Sequence, residues 1–229
     1  MLDAEPITVR SSDRSHSLTT SALVVEALTC RHGGIAVVEQ VDLALRPGER
    51  AALIGANGAG KSTVLRAILG LHRDCVGRIT VDGIEARSTA DWRERRRRVA
   101  WMPQRQATGR FPLLVRELLA SSGCSSAAET AAVRLDISHL VERPLHTLSG
   151  GQLQRSFLAR AMGSLAAGAE MLLADEPTSA LDFNGKAIVT DVLAGIDTTL
   201  LVVTHDRVLA DRCDRVFEMA GGRLREVGR

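Results

Sequence analysis

The sequence has no tyrosine, and aromatic residues make up only 3% of its 229 residues. Lysine is almost as scarce, because the 29 basic residues include only two lysines, Lys61 and Lys186. No apolar run approaches the ~18 residues that a membrane-spanning helix needs. Residues 1–6 carry neither the basic cluster nor the apolar stretch of a secretory signal. We therefore expect a soluble globular protein and exclude an integral membrane protein.

Cysteine is sparse and scattered. The four cysteines are Cys30, Cys75, Cys124 and Cys213, and they form no Cys-x-x-Cys pair. This spacing fits no zinc site, and a chain of this length does not need a disulfide framework in order to fold. We therefore predict buried or inert thiols in a reducing cytoplasm.

The chain also has no large excess of positive or negative charge. The 29 basic and 27 acidic residues give a formal net charge of +2, which is too small to indicate a nucleic-acid surface. We therefore expect no nucleic-acid partner. The only block of charge, at residues 93–98, is predicted to be the solvated face of a helix.

The hydrophobic pattern divides the chain into an N-terminal tail and a longer folded part. Residues 1–21 are rich in serine, threonine and charge and predict a disordered tail, so the domain is expected to span residues 22–229. Residues 22–28 and 37–45 alternate in part like strands, with a turn at Gly33-Gly34 between them. This pattern predicts a small antiparallel β subdomain at the start of the domain.

The rest of the domain has the pattern of an α/β fold. Short apolar runs at residues 99–102, 171–174 and 200–203 are separated by stretches with helical spacing. Buried strands that alternate with helices indicate a mostly parallel sheet. The segment of about 105–165 interrupts this alternation, and we predict that it is an inserted helical subdomain.

A glycine-rich loop lies between a predicted strand at residues 50–54 and a predicted helix at residues 62–69. Residues 55–62 match the pattern G-x-x-x-x-G-K-[ST], whose backbone N–H groups surround phosphate oxygens at a helix N-terminus. Lys61 can then reach the terminal phosphates, and the Ser62 hydroxyl can bind Mg²⁺. The alternative is a glycine-rich turn with a chance Lys-Ser. A lysine here, in a chain dominated by arginine, favours the phosphate site because a compact ammonium suits the loop better than a planar guanidinium.

Two acidic residues, Asp175 and Glu176, follow the apolar run at residues 171–174. Ligands of open α/β sheets bind at the carboxyl ends of the strands. Asp175 is therefore a candidate to hold Mg²⁺ or its water, and Glu176 is a candidate to orient or deprotonate an attacking water. The alternative, a pair of acids in a surface turn, is less consistent with a phosphate loop earlier in the same chain.

A second anion-binding motif is indicated by the sequence Leu148-Ser149-Gly150-Gly151-Gln152, which precedes a predicted helix. Ser149 can donate its hydroxyl, and Gly150 and Gly151 expose backbone amides at the helix N-terminus. Taken alone, such a stretch is more often a simple helix cap that follows a turn.

Together these motifs resemble the nucleotide-binding subunit of an ABC transporter, from about Ala22 to the C-terminus. The motifs occur in the family's order. They are the Walker A loop at residues 55–63, the Q-loop residue Gln104, the signature at residues 148–152, the Walker B strand at residues 172–176, the D-loop at residues 179–182 and the switch histidine His205. The LSGGQ signature is highly specific, because other P-loop classes such as GTPases and small-molecule kinases lack it. The implied fold is a P-loop NTPase core with a mostly parallel sheet, an antiparallel β subdomain and a helical insertion that carries the signature.

The resemblance implies that two subunits pack head to tail around two ATP molecules. Each ATP would lie on the Walker A loop of one subunit and under the signature of the other. His205 would contact the γ-phosphate and the attacking water, and Gln104 would reach Mg²⁺ when the site closes. The implied catalytic residues are Glu176, His205 and Lys61, and the implied Mg²⁺ ligands are Ser62, Gln104 and Asp175. The implied ATP-binding residues are His32, Gly55, Ala56, Asn57, Gly58, Ala59, Gly60, Lys61, Ser62, Thr63, Ser149, Gly150, Gly151, Gln152 and Asp182.

The resemblance also implies partners at a membrane. A transmembrane permease and a second ATP-binding subunit, another copy of this chain, are expected, and a solute-binding protein is a further candidate. The protein would then be a peripheral subunit at the cytoplasmic face of the membrane. His32 aligns with the position where the family stacks an aromatic side chain on adenine, although an exposed turn histidine is an equal alternative.

The transported solute is indicated only by residues 110–117. They resemble the Q-loop region of ATPases that serve zinc and manganese importers, where Phe-Pro followed by a Val-x-Glu/Asp helix start is frequent. We therefore expect a metal-ion importer. An iron-chelate or other importer, an exporter, and an ABC-type ATPase that is not coupled to transport stay open. A non-catalytic binding subunit is also open, but intact Glu176 and His205 argue against it.

Overall fold

The computed structural model describes residues 22–104 and 112–227. The predicted tail at residues 1–21 lies outside the described residues. So does the first part of the segment at residues 110–117, including its phenylalanine.

Four antiparallel strands form the first sheet, in the order β2-β1-β4-β5. The strands β1 and β2 are joined at Gly33 and Gly34, whose φ angles are 56° and 83°. Two consecutive positive φ angles are typical of a tight hairpin turn, which explains why two glycines stand there. The strands are β1 (Leu23–His32), β2 (Ile35–Leu45), β4 (Cys75–Val81) and β5 (Ile84–Glu85).

Six strands form the second sheet, in the order β10-β9-β3-β8-β7-β6. All neighbours are parallel except β10 and β9, which are antiparallel. The strands are β3 (Arg50–Ile54), β6 (Val99–Met102), β7 (Met171–Asp175), β8 (Thr199–Val203), β9 (Arg215–Ala220) and β10 (Arg223–Val227). The predicted α/β class, with an antiparallel β subdomain and a mostly parallel sheet, is confirmed.

Seven α-helices connect these strands in the described part of the chain. They are α1 (Lys61–Ile68), α2 (Thr89–Arg98), α3 (Val115–Ala120), α4 (Ser125–Arg134), α5 (Gly150–Ala166), α6 (Phe183–Ala194) and α7 (Arg207–Ala210). Two short 3₁₀ helices, Ser138–Leu140 and Leu145–Thr147, lie between α4 and α5. The helices α3, α4 and α5 pack on one another and form the helical insertion between β6 and β7.

Both faces of the six-stranded sheet are covered, which explains its continuous apolar strands. In β7, Leu172 and Ala174 belong to a core cluster shared with α3 to α6, whereas Leu173 belongs to a second cluster shared with α1, β1 and β2. Alternate residues of β8 divide between the same two clusters. Because neither face meets solvent, the middle positions of β7 and β8 are all apolar, and the polar residues Asp175 and Thr199 stand at the strand ends. The phosphate loop and the acidic pair therefore sit at the end of a rigid, fully buried support.

Two sequence predictions were wrong for some of their residues, although Cys124 and Cys213 remain thiols and Arg93, Arg96 and Arg97 are exposed on α2 as expected. Cys30 and Cys75 form a disulfide between β1 and β4, where the two residues are directly opposite each other. Arg95, in the charge block predicted to be solvated, is fully buried in α2. Its guanidinium donates to the carbonyl oxygens of Ile79 at 2.6 Å and Ile84 at 2.8 Å. Both errors concern contacts with distant parts of the chain.

Candidate nucleotide-binding and hydrolysis site

The phosphate loop connects the end of β3 to the start of α1, as its motif predicts. Gly58 and Gly60 have φ angles of 80° and 103°, which strongly favour glycine. A Cβ atom on Gly60 would lie 2.5 Å from the carbonyl oxygen of Val37, so the loop also needs glycine for space. This backbone turns successive N–H groups toward one point at a helix N-terminus, which is the geometry of an anion site.

Lys61 is the first residue of α1 and is buried against the loop. Its Nζ donates to the carbonyl oxygens of Gly55 at 2.7 Å and Ala56 at 2.9 Å. These contacts hold the ammonium over the concave side of the loop. From there it can exchange one carbonyl for a phosphate oxygen without leaving its position.

A cavity of about 520 Å³ opens beside this loop and gathers nine of the predicted residues, whereas Asp175, His205, Asp182 and the signature residues are not among those that line it. The predicted residues that line it are His32, Asn57, Gly58, Gly60, Lys61, Ser62, Thr63, Gln104 and Glu176. The other lining residues are Val37, Arg66, Leu71, His72 and Val203. The cavity thus combines a phosphate end, an acidic end and a wall formed by two histidines.

Asp175 ends β7 and is only 1% exposed. Burial raises the pKa of its carboxyl group, and the neighbouring Glu176 adds to this, whereas a hydrogen bond with Ser62 lowers the pKa. Its Oδ1 atom has no hydrogen-bond partner among the described residues. A buried carboxylate oxygen without a partner, next to a hydroxyl on the phosphate loop, is the oxygen-donor set that Mg²⁺ prefers. The residues present therefore fit this ion.

Glu176 follows β7 and is 4% exposed, and its backbone has a φ angle of 53°. Left-handed backbone in a non-glycine residue is costly and is often retained at functional sites. His205 follows β8, and its Nδ1 lies 2.6 Å from Glu176 Oε2. The two side chains are therefore direct neighbours and form an ion pair when the imidazole is protonated.

The signature residues lie at the start of α5, outside the cavity. Ser149 Oγ accepts from the backbone N–H of Gln152 at 3.3 Å, and Gln152 Oε1 accepts from the backbone N–H of Ser149 at 3.0 Å. This capping box fixes the helix start and leaves Ser149 and Gly150 exposed. The structure therefore does not bring the signature to the phosphate loop of the same chain.

Two further predicted residues occupy the ends of elements near the cavity. Asp182 caps α6, with its Oδ1 accepting from the backbone N–H of Gly185 at 2.8 Å. Gln104 follows β6 and is exposed where it lines the cavity. The nucleotide roles predicted for these residues and for His32 stay predictions.

Sequence reasoning missed Gln154, which is 2% exposed on α5. Its Nε2 donates to the carbonyl oxygen of Glu176 at 2.6 Å and to Ser179 Oγ at 3.2 Å. Its Oε1 accepts from the backbone N–H of Ala180 at 3.2 Å. This side chain therefore holds the backbone of Glu176 to the helix that begins with the signature. The available signal was a polar residue four positions before Leu158, on the apolar face of the helix.

Comparison with known proteins identifies the family. A family model described as ABC transporter matches residues 38–179. The chain belongs to this family. The hemin import ATP-binding protein HmuV of Pseudomonas aeruginosa is 38% identical over 222 residues, covering 90% of this chain and 86% of the relative. ABC cassettes hydrolyse ATP to drive transport, and this chain is one of these ATPases.

Other relatives carry different substrate names. The Fe(3+) ions import ATP-binding protein FbpC 2 of Rhodococcus jostii is 37% identical, covering 91% of this chain and 62% of the relative. The zinc import ATP-binding protein ZnuC of Pseudomonas aeruginosa is 37% identical, covering 76% of this chain and 61% of the relative. These names do not single out zinc, so the expected zinc or manganese subtype is not established.

The fold agrees with a solved ABC cassette. The dimeric cassette MJ0796, in a post-hydrolysis state bound to ADP and Pi, superimposes with a TM-score of 0.79 and 26% identity. The alignment covers 90% of this chain and 97% of that cassette. None of the helices within residues 22–104 and 112–227 is both long and apolar enough to cross a membrane.

Proposed function

We propose that this chain is the Mg-ATP-hydrolysing subunit of a membrane importer for a metal-containing solute. The observation that carries the proposal is the single cavity in which the Lys61 ammonium, the Ser62 hydroxyl and the Glu176 carboxylate meet, with His205 2.6 Å from that carboxylate. These are the groups that phosphoryl transfer to water requires: phosphate binding, charge neutralisation and a proton acceptor.

Each group has a distinct proposed role in hydrolysis. The loop amides and Lys61 bind the phosphates and hold them in line with an attacking water. Glu176 accepts the proton of that water, and His205 fixes the position of the water and the γ-phosphate. Ser62, Asp175 and Gln104 would hold Mg²⁺, which when bound neutralises charge that develops on the phosphate oxygens.

The working unit that we propose is a pair of these subunits. Ser149 and Gly150 are exposed and lie outside the cavity of their own chain, so the Ser149 hydroxyl and the Gly150 amide are placed to serve a nucleotide on another surface. A second copy, packed head to tail, would supply the missing phosphate loop. Because one chain carries every motif, a homodimer would have two competent sites.

The docking surface for the permease is proposed to be a groove of about 540 Å³ between β6 and the helical insertion. Its apolar wall includes Leu71 and Trp101, and its basic residues are Arg96, Arg97 and Arg160. Burial lowers the pKa of Arg160, and no acidic neighbour raises it. Within the described residues, none of the three arginines has an ion pair with a carboxylate. Charge complementarity favours an amphipathic permease segment that carries carboxylates beside apolar residues. This docking would place the chain at the cytoplasmic face of the membrane.

The solute that we favour is a metal chelate of the hemin type. Support comes from the hemin-import relative, which matches 90% of this chain at 38% identity, against 76% at 37% identity for the zinc-import relative. Free zinc or manganese ions, which residues 110–117 suggested, are the second candidate. A solute-binding protein would then deliver the chelate to the permease.

Copurification followed by an ATPase assay tests this function. The tagged chain should bring down a polytopic membrane protein, and ATP hydrolysis by the reconstituted complex should rise with hemin more than with Zn²⁺.

Glu176→Gln should lower hydrolysis by roughly 10²–10⁴-fold and keep ATP binding, because an amide cannot accept the proton. Glu129→Gln, an exposed acid on α4, is the matched control. Robust hydrolysis without any membrane partner would instead favour an ATPase that is not coupled to transport.

A further inference from the structure

The nucleotide cavity is also lined by residues from two separate segments outside the phosphate loop. One segment is the end of β1, which contributes His32. The other is the loop between α1 and β4, which contributes Leu71 and His72. We call these three lining residues the base-side wall, because the family resemblance aligns His32 with the position that stacks on adenine.

Three links hold the two segments of this wall together. The backbone N–H of Arg31 donates to the carbonyl oxygen of Asp74 at 2.8 Å. The Nε2 of His72 lies 2.8 Å from the carbonyl oxygen of Arg31, and since a carbonyl only accepts, Nε2 carries the proton. The third link is the disulfide between Cys30 and Cys75, which are directly opposite each other in β1 and β4.

The phosphate loop lies in the segment of chain between the two crosslinked cysteines. The two cysteines are 45 residues apart, and the segment between them contains the phosphate loop and α1. Cys30 precedes His32 by two residues, and Cys75 follows His72 by three. A covalent bond at this point therefore limits how far the two segments of the wall can separate.

The disulfide is accessible from one side. Cys30 is fully buried, whereas Cys75 is half-buried and lines a second cavity of about 320 Å³. His72 lines both this cavity and the nucleotide cavity. A small thiol that enters the second cavity would therefore meet the disulfide directly behind the base-side wall.

We propose that Cys30–Cys75 and His72 form a redox-sensitive clamp that positions the base-side wall and thereby sets nucleotide affinity. The inference rests on the proposed function. With the disulfide formed, the wall is fixed for stacking on the base. With the thiols reduced, two hydrogen bonds remain and the wall is held more loosely, while the phosphate loop keeps its own contacts.

The redox step is a thiol–disulfide exchange. A thiolate of the pair attacks oxidised glutathione, forms a mixed disulfide and releases one glutathione; the second thiolate then displaces the other glutathione. The protein gains one S–S bond, and the two protons of its thiols leave with the two glutathiones. Dithiothreitol reverses the step, and its own two thiols become a cyclic disulfide.

The test compares the full-length chain after treatment with oxidised glutathione and after treatment with dithiothreitol. Maleimide labelling of the denatured protein, read by mass spectrometry, reports whether the crosslink is present. The Kd of Mg-ATP and the Kd of inorganic tripolyphosphate are then measured for both forms. Tripolyphosphate reaches the phosphate loop and lacks a base, so it reports on the loop alone.

Reduction should weaken Mg-ATP binding by about 3- to 10-fold, because a loosened wall loses part of its stacking on the base. It should leave tripolyphosphate binding unchanged, and the KM for ATP should rise without a change in kcat. The double variant Cys30→Ser/Cys75→Ser should match the reduced form under both treatments. Cys124→Ser, at the start of α4, is the matched control and should follow the wild type.

Variants of His72 test the same wall without changing the disulfide. His72→Ala should weaken Mg-ATP binding and leave tripolyphosphate binding unchanged. His72→Gln keeps an N–H donor for the Arg31 carbonyl and should restore much of the ATP affinity. A purely structural role would weaken both ligands together in His72→Ala.

Three results would overturn the clamp: no crosslink after oxidation, equal Mg-ATP affinity in both forms, or an equal loss of affinity for ATP and tripolyphosphate. Each leaves the proposed function intact if the protein hydrolyses ATP. Absence of hydrolysis in both forms even with the copurified permease present would instead contradict the proposed function.

Discussion

At the scale of single residues, the site depends on two buried side chains, Asp175 and Gln154, which have different roles. Asp175 is held in a low-dielectric position beside a second carboxylate, which raises its pKa. Gln154 uses three hydrogen bonds to hold the backbone around Glu176. Asp175 therefore has a carboxylate oxygen that is free within the described part of the chain and could bind a cation, and Gln154 holds the backbone of the proton acceptor Glu176 in place.

Asp175→Asn should stabilise the nucleotide-free protein and remove the Mg²⁺ dependence of ATP binding. The folded-state pKa of Asp175 is raised above the ordinary aspartic acid value of 3.8, so ionised Asp175 destabilises the fold at neutral pH. This destabilisation is lost as the pH falls through the raised folded-state pKa toward about 3.8. The asparagine variant should therefore melt higher at pH 7, by about 2–4 °C per kcal/mol recovered.

Melting curves of both proteins between pH 7 and pH 4 check this expectation. The difference in Tm should shrink as the pH falls, because protonated Asp175 resembles asparagine. Mg²⁺ should tighten ATP binding in the wild type and not in the variant. A variant that melts lower than the wild type at pH 7 contradicts the assignment of a destabilising buried charge.

Gln154→Leu should slow hydrolysis by roughly 10-fold or more and change ATP affinity little. The substitution leaves the Glu176 carbonyl and the Ala180 N–H without these partners, which costs about 1–3 kcal/mol for each buried group. Misplacing a proton acceptor lowers kcat rather than binding. Steady-state kinetics measure whether kcat falls while the KM for ATP stays unchanged. Met162→Leu on the same helix is the control. An unchanged kcat would show that Gln154 serves only packing.

At the scale of elements, α5 connects the signature to the acidic site around Glu176. Its N-terminus carries the exposed signature, and its third turn contributes Leu158 to the core of the helical insertion. Between them, Gln154 contacts the residues around the chain's own acidic site. In the proposed dimer, a nucleotide bound by the signature of one chain is therefore joined through a rigid helix to the Glu176 of that chain.

Ser149→Arg should leave ATP binding to the monomer intact and block hydrolysis. Ser149 lies outside the nucleotide cavity of its own chain, so an arginine side chain at position 149 should not disturb the phosphate loop that lines this cavity. In the dimer the same side chain would fill the space for the partner's nucleotide. Titration of the monomer and a phosphate-release assay separate the two effects. Loss of ATP binding by the monomer would contradict the composite site.

At the scale of the whole molecule, two concave surfaces lie close to β6 and share Leu71 as a lining residue. The nucleotide cavity includes Gln104, which follows the strand, and the arginine-lined groove includes Trp101 within it. This arrangement puts a proposed partner surface within a few residues of the nucleotide site. A permease segment bound in the groove could therefore respond when the dimer closes around ATP, because only three positions separate Trp101 in the groove from Gln104 in the nucleotide cavity.

Arg160→Glu should abolish copurification of the permease and leave the basal ATPase of the isolated chain unchanged. Reversing the charge puts two carboxylates opposite each other, which costs several kcal/mol and thus more than about 10-fold in affinity. Arg134→Glu, exposed on α4 and outside the groove, is the matched control. If the permease is retained by the Arg160 variant, the docking surface lies elsewhere.

The sequence by itself determined the family, the fold class and most of the chemistry. The phosphate loop, the acidic pair and the signature are each contiguous, and local backbone rules link such short motifs to their chemistry. The alternation of buried strands and helices predicted the sheet for the same reason, because periodicity is read within one segment.

Only the tertiary structure decided the features that join distant segments. Cys30 and Cys75 become neighbours through strand pairing, Arg95 is buried because carbonyls from β4 and β5 surround it, and Gln154 reaches Glu176 across the helix–sheet interface. No local pattern encodes these contacts, since each depends on two elements packed by the hydrophobic core. The signature differs from these contacts, because the family resemblance already implied that it serves the other subunit's nucleotide. The fold agrees with this, since Ser149 and Gly150 do not line the cavity of their own chain.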